Sequence, residues 1–298
     1  MKVIKRRFIF LGFSGLMVIL SIASVFVFGL KPGIDLTGGT QWQVSFTEAP
    51  DTSTLDVQAF LVGLTGSDVS VKKTDGNEIL IRLPSIDEQT HQQYSFKLIQ
   101  KFGKMEEMNF SSIGPSIGSE LRTKAIWAFI FVLFGISLYI AYAFRKVSRP
   151  IRSWKYGTVA LITLFHDVII PTGMLALLGY LSGVEIDTNF IVALLVVMGF
   201  SVHDTIVVFD RIRENILITR GKIFDLGEVI DESVHETFTR SVNTSLTLIL
   251  VLLTMLFLGP SSLFYFILTI MVGTIFGTYS SIFIASPLLY ISERIGKK

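Results

Sequence analysis

The most prominent pattern in the sequence is a series of six apolar runs, each long enough for a membrane-crossing helix. A hydrocarbon core about 30 Å thick needs roughly 20 apolar residues of helix. The predicted spans are Phe8–Leu30, Ala125–Phe144, Tyr156–Leu181, Asp187–Phe209, Phe238–Leu258 and Leu263–Ile291. Half of the residues (50%) are hydrophobic and only 17% are charged, a composition that favours a polytopic α-helical membrane protein.

The first apolar run follows a basic start, with Lys2, Lys5, Arg6 and Arg7 just before it. Such a start is also typical of a secretory signal peptide. The apolar run is longer than the usual signal core of about 7–15 residues, and no clear small-x-small cleavage site follows it. We therefore expect a retained first helix.

Basic residues in the short links predict the orientation. The link between spans two and three and the link between spans four and five are rich in basic residues: Arg145, Lys146, Arg149, Arg152, Lys155, Arg211, Arg213, Arg220 and Lys222. The links 182–186 and 259–262 have no Lys or Arg. Short basic links stay in the cytoplasm, so we expect both termini there and residues 31–124 on the extracytoplasmic side. The predicted parts are then 1–30, 31–124, 125–291 and a cytoplasmic tail, 292–298.

Residues 31–124 have the pattern of a small folded domain inserted between spans one and two. The predicted elements are a strand Gln41–Phe46, a helix Thr54–Thr65, strands Val69–Lys73 and Glu78–Leu83, a helix Asp87–Phe102 and a strand Met108–Ile113. Asp75-Gly76 is typical of a hairpin turn. The order β-α-β-β-α-β predicts a ferredoxin-like α+β domain. Its one histidine, His91, lies among Gln residues, and we expect it to be solvated.

Three ionisable residues fall within the predicted spans. Asp167 follows His166 in span three, Asp204 follows His203 in span four, and Arg240 lies near the cytoplasmic end of span five. An ionisable group in hydrocarbon is costly unless it is paired or wetted, so each is a candidate functional residue.

Other polar residues extend this pattern. Arg240, Asn243, Thr244 and Thr247 recur at helical spacing and predict one polar stripe on span five. Together with Thr163 and Ser201, near the two aspartates, they predict three polar helix faces that meet inside the bundle. The alternative is structural: Asp204 and Arg240 form an ion pair, the hydroxyls bond backbone carbonyls, and the histidines only donate to their neighbouring carboxylates.

Three further features concern packing. Gly273 and Gly277 form a G-x-x-x-G motif in span six, which permits close helix approach. Pro171 and Pro287 lie within spans and are expected to bend them. Near residues 211–238, Leu226, Val229, Ile230, Val234 and Phe238 form an amphipathic face, which predicts a segment that lies along the cytoplasmic membrane surface.

The residue types also exclude several classes of chemistry. The chain has no cysteine, so disulfides and thiolate metal sites are excluded. No G-x-x-x-x-G-K-[ST] motif occurs, which disfavours ATP hydrolysis by a P-loop. We expect no metal, no cofactor and no nucleic-acid partner.

Four segments resemble the motifs of SecF proteins, in the SecD/SecF family of the resistance-nodulation-division superfamily. They are residues 33–40 (GIDLTGGT), 113–121 (IGPSIGSEL), 199–215 (GFSVHDTIVVFDRIREN) and 239–245 (TRSVNTS). The third is the most specific, and all four occur in the family's order. One departure is His203, where family members more often have Asn.

The resemblance implies an auxiliary subunit of the Sec export machinery rather than an enzyme. It implies a SecD partner, a pseudo-symmetric bundle made by the two chains, association with a SecY-type channel and an unfolded preprotein as the substrate, in the bacterial cytoplasmic (inner) membrane. The energy would come from a proton or sodium gradient. By similarity, Asp204 would bind the ion and Arg240 would tune its titration; Asp167, His203, Asn243 and Thr244 are further candidates.

Two other functions stay open from the residues alone. One is half of a small-molecule exporter of the same superfamily, although the single small outer domain disfavours it. The other is an intramembrane aspartyl protease that uses Asp167 and Asp204. Its expected G-x-G-D signature is absent, because Gly199-Phe-Ser-Val precedes His203-Asp204.

Overall fold

The computed structural model describes residues 2–46, 52–73, 78–145, 151–219 and 225–295. In chain order its helices and strands are α1 (Arg7–Phe28), α2 (Ile34–Thr37), β1 (Gly39–Phe46), α3 (Thr54–Thr65), β2 (Ser70–Lys73), β3 (Glu78–Leu83), α4 (Glu88–Phe102), β4 (Met105–Ile113), α5 (Pro115–Ala143), α6 (Ser153–Ser182), α7 (Thr188–Ile218), α8 (Leu226–Leu258), α9 (Phe264–Ser280) and α10 (Ser286–Ile295).

Six helical segments in the described part of the chain are long and apolar enough to cross a membrane, which confirms the six predicted spans. The first five are α1, α5, α6, α7 and α8. The sixth, Ser261–Arg294, is composite. It begins with a short 3₁₀ turn, continues as α9, widens into a π-helical turn at Ser281–Ala285 and ends as α10.

The segment between spans four and five differs from the prediction. Residues 211–218 continue α7, and the amphipathic face predicted from Leu226 belongs to the first turns of α8. Val229, Ile230 and Val234 are buried in the core of the membrane body, in the same cluster as Ile4 and Ile212. The apolar face is therefore covered by this chain's own side chains.

Polar contacts hold α7 and α8 together at this end. The guanidinium of Arg211 donates to both carboxylate oxygens of Glu236, at 2.6 and 2.9 Å. The amide of Asn215 donates to Glu236 at 2.7 Å and to Ser233 at 3.0 Å. These bonds join the end of one helix to the start of the next and make a long antiparallel hairpin.

The chain divides into two compact units. The first contains residues 1–31 and 127–298, and the second contains residues 32–126. In the first unit, α6, α7 and the sixth span supply most of the buried residues, whereas α1 and α5 are largely exposed along their lengths. The centre of that unit is therefore formed by three helices.

The second unit is the predicted ferredoxin-like domain. Its four antiparallel strands are in the order β2-β3-β1-β4, which is the order that β-α-β-β-α-β connectivity produces. Alternate residues of β1 and β3, including Trp42, Val44 and Ile81, meet Leu61 of α3 and Leu98 of α4 in the core. The predicted Asp75-Gly76 turn lies outside the described residues.

A pair of glycines explains the first family motif in physical terms. Gly38 and Gly39 have φ angles of +80° and +131°, which side chains other than glycine rarely adopt. A Cβ on Gly38 would lie 2.6 Å from the Cα of Pro115, and a Cβ on Gly118 would lie 2.5 Å from the backbone nitrogen of Gly38. The first two sequence motifs are therefore packed backbone against backbone.

The prediction that His91 is solvated was wrong. His91 is 8% exposed, its ring stacks on Phe110 with centroids 3.7 Å apart, and its Nε2 lies 2.7 Å from Glu107 Oε2. The same oxygen accepts a hydrogen bond from the indole of Trp42 at 2.9 Å. The neighbouring Gln residues gave no sign of this, because the partners of His91 come from β1 and β4.

We predict that the start of α4 depends on its N-terminal cap. Asp87 accepts a hydrogen bond from the backbone of Thr90 at 2.9 Å, and side-chain and backbone hydrogen bonds from Thr90 lower the pKa of Asp87. A lowered pKa stabilises the helix at neutral pH, and this stabilisation is lost as the pH falls below about 4. Asp87→Ala should expose the first-turn amides of α4 to several-fold faster hydrogen exchange at neutral pH.

Asp87→Asn is the matched control, because Asn also caps helices but does not titrate. It should keep the protection of α4 and remove its loss in acid. Equal exchange in the wild type, Asp87→Ala and Asp87→Asn would contradict the prediction.

Candidate functional site

Asp167 lies fully buried in the middle of α6, with 0% of its surface exposed. Its Oδ1 lies 2.8 Å from Nδ1 of His166. Its Oδ2 accepts a short hydrogen bond from Ser201 on α7 and another, at 2.7 Å, from Ser280 at the end of α9. Three helices therefore meet at one carboxyl group.

Asp204 is the second buried carboxyl, on α7, with 5% of its surface exposed. The hydroxyl of Ser281 donates to its Oδ2 at 2.5 Å. Ser280 and Ser281 are adjacent in the chain, so consecutive residues of the sixth span bind the two aspartates.

The backbone at these two serines is unusual. Ser281–Ala285 forms a π-helical turn, a rare feature that is frequent at functional sites. Pro287, just beyond it, has no N–H with which to continue the regular α-helical bonding. Pro171 likewise lies within α6 and cannot donate to the carbonyl of Asp167, four residues earlier. Pro171 therefore lies one turn from Asp167, and Pro287 follows the π-helical turn by two residues.

The structure does not bring Arg240 to Asp204. Arg240 is exposed on α8, and the ion pairs found among the described residues do not include one between these two side chains. Arg240 lies instead in the wall of an open cavity of about 470 Å³ that also includes Asp210 and Thr237. The predicted contact is therefore missing within this chain.

The predicted polar stripe of α8 faces outward rather than inward. Arg240, Asn243, Thr244 and Thr247 are all exposed, and the two threonine hydroxyls donate to backbone carbonyls of their own helix. His203 is exposed on α7, so it also lies outside the buried cluster. The sequence located this stripe correctly but could not show which side of α8 packs inside the chain.

The interior face of α8 carries small hydroxyl residues instead. Ser241 and Ser245 are buried, and Ser245 Oγ lies 2.5 Å from Thr278 Oγ1 on α9. Sequence reasoning missed Ser245, Ser280 and Ser281. The signal was present as serines within otherwise apolar runs, but serine is common in membrane helices.

The glycine motif of span six packs within the chain. A Cβ on Gly273 would lie 2.3 Å from a methyl carbon of Val197, and one on Gly277 would lie 3.2 Å from Cβ of Ser201. The close approach of α9 to α7 at Gly277 places Ser201 and Ser280 on the same carboxyl.

The hydroxyl groups around the two carboxyls can serve both of their protonation states. Hydroxyl groups can donate to an ionised carboxylate and accept from a protonated one, so each aspartate can be satisfied in both states. Within the described ranges, no group of three or more His, Asp or Glu side chains is arranged to hold a metal ion.

Fold and site together define a multi-pass membrane protein with six spans, an inserted ferredoxin-like domain and buried carboxyls in the membrane body. Residues 94–294 match the family described as protein export membrane protein SecD/SecF, C-terminal, and residues 23–50 match the SecD/SecF GG motif. The chain therefore belongs to the SecD/SecF family of protein export membrane proteins.

Full-length relatives agree with this assignment. The protein translocase subunit SecF of Thermobaculum terrenum is 42% identical, over 98% of this chain and 94% of the relative. The SecF subunit of Sebaldella termitidis is 36% identical, over 100% of this chain and 93% of the relative.

Solved structures extend the comparison to the fold. The crystal structure of SecDF, a translocon-associated membrane protein from Thermus thermophilus, matches 99% of this chain with a TM-score of 0.82 and 31% identity. A SecDF structure in a super-membrane-facing form matches with a TM-score of 0.70. In both comparisons this chain spans 39% of the SecDF chain.

We predict that Gly273 is required for the packing of α9 on α7. Gly273→Leu would force side-chain atoms into the space of Val197, and overpacking of this kind costs about 1–3 kcal/mol. Thermal unfolding of the purified protein should therefore begin at a lower temperature.

Gly135→Leu is the control, because a Cβ on Gly135 meets no atom within 4 Å. It should leave the unfolding temperature nearly unchanged. Equal effects of the two substitutions would show that the loss comes from the leucine itself rather than from the α7–α9 contact.

Proposed function

We propose that this chain is the SecF-type half of a SecD–SecF complex that uses an ion gradient to promote export of preproteins through a SecY-type channel. The observation that carries the proposal is the buried Asp204 carboxyl in an apolar span, bound by a hydroxyl that can serve both of its protonation states. The family supports an export role, and the carboxyl supplies a place for the driving ion.

The exposed polar face of α8 supports the proposal that a second membrane subunit packs against this helix. Arg240 and Asn243 are exposed on a helix that is long and apolar enough to cross a membrane, and a guanidinium in hydrocarbon is costly unless it is paired or wetted. A second membrane subunit that covers this face would remove that cost. The SecDF structures contain a longer chain of which this protein matches 39%, and we propose that a SecD-like chain provides the rest.

We propose that Arg240 still tunes the titration of Asp204, and that the two side chains come into contact only in the complex. A guanidinium favours the ionised form of a nearby carboxyl, and burial favours the protonated form. A proton would bind to Asp204 when burial has the larger effect on the carboxyl. It would leave when the guanidinium of Arg240 has the larger effect. His203, Asn243 and Thr244, on the same outward faces, would line the route between the two chains.

The energy available is sufficient for mechanical work. Moving one charge through the membrane potential yields about 2.3 kcal/mol per 100 mV. Repeated cycles of ion binding and release at Asp204 could drive movement of the extracytoplasmic domain, which would pull the emerging preprotein outward.

Gradient-dependent export should require the Asp204 carboxyl. We expect Asp204→Asn to reduce preprotein translocation to the level measured after the ion gradient is collapsed, because an amide cannot bind and release the ion. Separate imposed gradients of H⁺ and Na⁺ would identify the ion.

Asp210→Asn provides a control on the same helix, since Asp210 is an exposed carboxylate 3.2 Å from the guanidinium of Arg213. It should retain gradient-dependent export. If export by the Asp204→Asn complex equals that of the wild type, the role proposed for Asp204 is wrong.

The proposed orientation can be measured directly, because the chain contains no cysteine and any introduced cysteine is a unique label site. Gln89 on α4 and Glu232 on α8 are both exposed. In cells with a permeable outer layer and an intact inner membrane, a membrane-impermeant maleimide should label Gln89→Cys and should label Glu232→Cys only after lysis. The reverse pattern would invert the proposed topology.

A further inference from the structure

The pair formed by His166 and Asp167 has no role in the proposed function, yet it is the most deeply buried polar cluster of the membrane body. Asp167 is 0% exposed and His166 is 4% exposed. A permanently charged carboxylate at this depth would be expensive to keep. Its three hydrogen-bond partners come from α6, α7 and α9, so the cluster is built by the fold rather than by one helix.

The number of hydrogens at Ser280 points to two protonation states. The Ser280 hydroxyl lies within hydrogen-bond distance of Asp167 Oδ2, at 2.7 Å, and of the carbonyl of Gly277, at 3.0 Å. A hydroxyl has only one hydrogen to donate. When it donates to the Gly277 carbonyl, its contact with Asp167 is a hydrogen bond only if the carboxyl is protonated and donates to the serine.

Ser281 has the same double arrangement at the other carboxyl. Its hydroxyl lies 2.5 Å from Asp204 Oδ2 and 2.9 Å from the carbonyl of Thr278. The hydroxyl of each of these two neighbouring serines is therefore within hydrogen-bond distance of both a buried carboxyl and a backbone carbonyl. Both are at the junction of α9 with the π-helical turn, so a change at one hydroxyl occurs one residue from the other.

His166 supplies an independent sign of a proton site. Its Nδ1 contacts Asp167, whereas its Nε2 is buried and has no hydrogen-bond partner in the described chain. An imidazole oriented by a carboxylate through Nδ1 has its free position for a proton at Nε2. The pair therefore contains an unused proton-binding position inside the membrane body.

Other titratable groups do not account for this cluster. On the helices packed against α6, the nearby titratable groups are Asp204 and the exposed His203 of α7 and Tyr279 of α9. The hydroxyl of Tyr279 donates to the carbonyl of Phe10. Lys155 and Glu293 pair with each other at 2.8 Å, and Lys155 lies twelve residues, about 18 Å of helix rise, from Asp167. Arg7 and Arg294 are likewise at helix ends.

We propose that His166 and Asp167 form a second proton-binding site in the membrane body, and that Ser280 and Ser281 couple it to Asp204. A proton taken from water binds Asp167 Oδ2. The new O–H then donates to Ser280, whose own hydrogen turns to the Gly277 carbonyl, while Ser201 and His166 keep their bonds to the carboxyl. Release of the proton to water reverses these changes. This inference rests on the ion-coupling role proposed for Asp204 and deepens it.

The test measures protonation directly, by infrared difference spectroscopy of the full chain in lipid vesicles as the pH is varied. In Asp204→Asn, the titrating carboxylic-acid signals should still include one that disappears when Asp167→Asn is added. Coupling predicts that its pH midpoint differs by about 1 unit or more between the wild type and Asp204→Asn.

Serine variants test the connection between the two sites. Ser280→Ala and Ser281→Ala should each reduce the difference in midpoint. Ser286→Ala should not, since Ser286 is a buried serine nearby whose hydroxyl has no partner in the described residues. A midpoint that is the same with and without Asp204, or a spectrum from which Asp167→Asn removes no titrating signal, would overturn the proposal.

A second measurement covers the case in which Asp167→Asn does not fold. In the wild-type chain, the ¹⁵N resonance of Nδ1 of His166, assigned by comparison with His166→Gln, should shift with pH, because its partner changes from a carboxylate to a carboxylic acid when Asp167 binds the proton. A resonance that stays constant across the pH range would overturn the proposal. Unchanged export by Asp204→Asn would refute the ion-coupling role of Asp204 but would leave these spectroscopic results standing.

Discussion

The hydrogen bonds between serine hydroxyls and the two buried aspartates are the interactions on which the membrane body depends. A buried carboxyl group loses its hydrogen bonds to water and must form new ones with protein donors. Burying an isolated charge costs several kcal/mol. The hydroxyls of Ser201 and Ser280 donate to Asp167, and the hydroxyl of Ser281 donates to Asp204. Because hydroxyls donate or accept, this environment tolerates both charge states, which a guanidinium would not.

That requirement explains several features of the packing. The serines reach the carboxyls because α9 approaches α7 closely at Gly273 and Gly277, and because the helix widens at Ser281–Ala285. Larger residues at the glycines would separate the helices, and a regular α-helix would rotate the following residues to different positions. The two glycines and the first residue of the π-helical turn are therefore parts of one arrangement around the carboxyls.

The outer surface of the same body has the opposite character. Arg240, Asn243 and Thr244 are exposed on α8, beside helices whose other exposed residues are mostly apolar. The membrane body thus has buried carboxyls that bind hydroxyls of the same chain and an exposed guanidinium on its outer face. This division agrees with a chain that matches 39% of a longer SecDF protein.

The six spans, the ferredoxin-like domain and the family could be predicted from the sequence, because apolar run length, strand alternation and motif order are local properties of the chain. It also identified Asp167, Asp204 and Arg240, since an ionisable residue in an apolar run is visible without coordinates. The contacts of these residues became visible only in the folded chain, where Ser280 and Ser281 bind the aspartates, Arg240 faces outward and His91 stacks on Phe110. Helical periodicity shows that residues share a face, but the rotation of each helix against its neighbours is set by packing along the whole interface. The polar stripe of α8 was therefore visible in the sequence, and its direction was not.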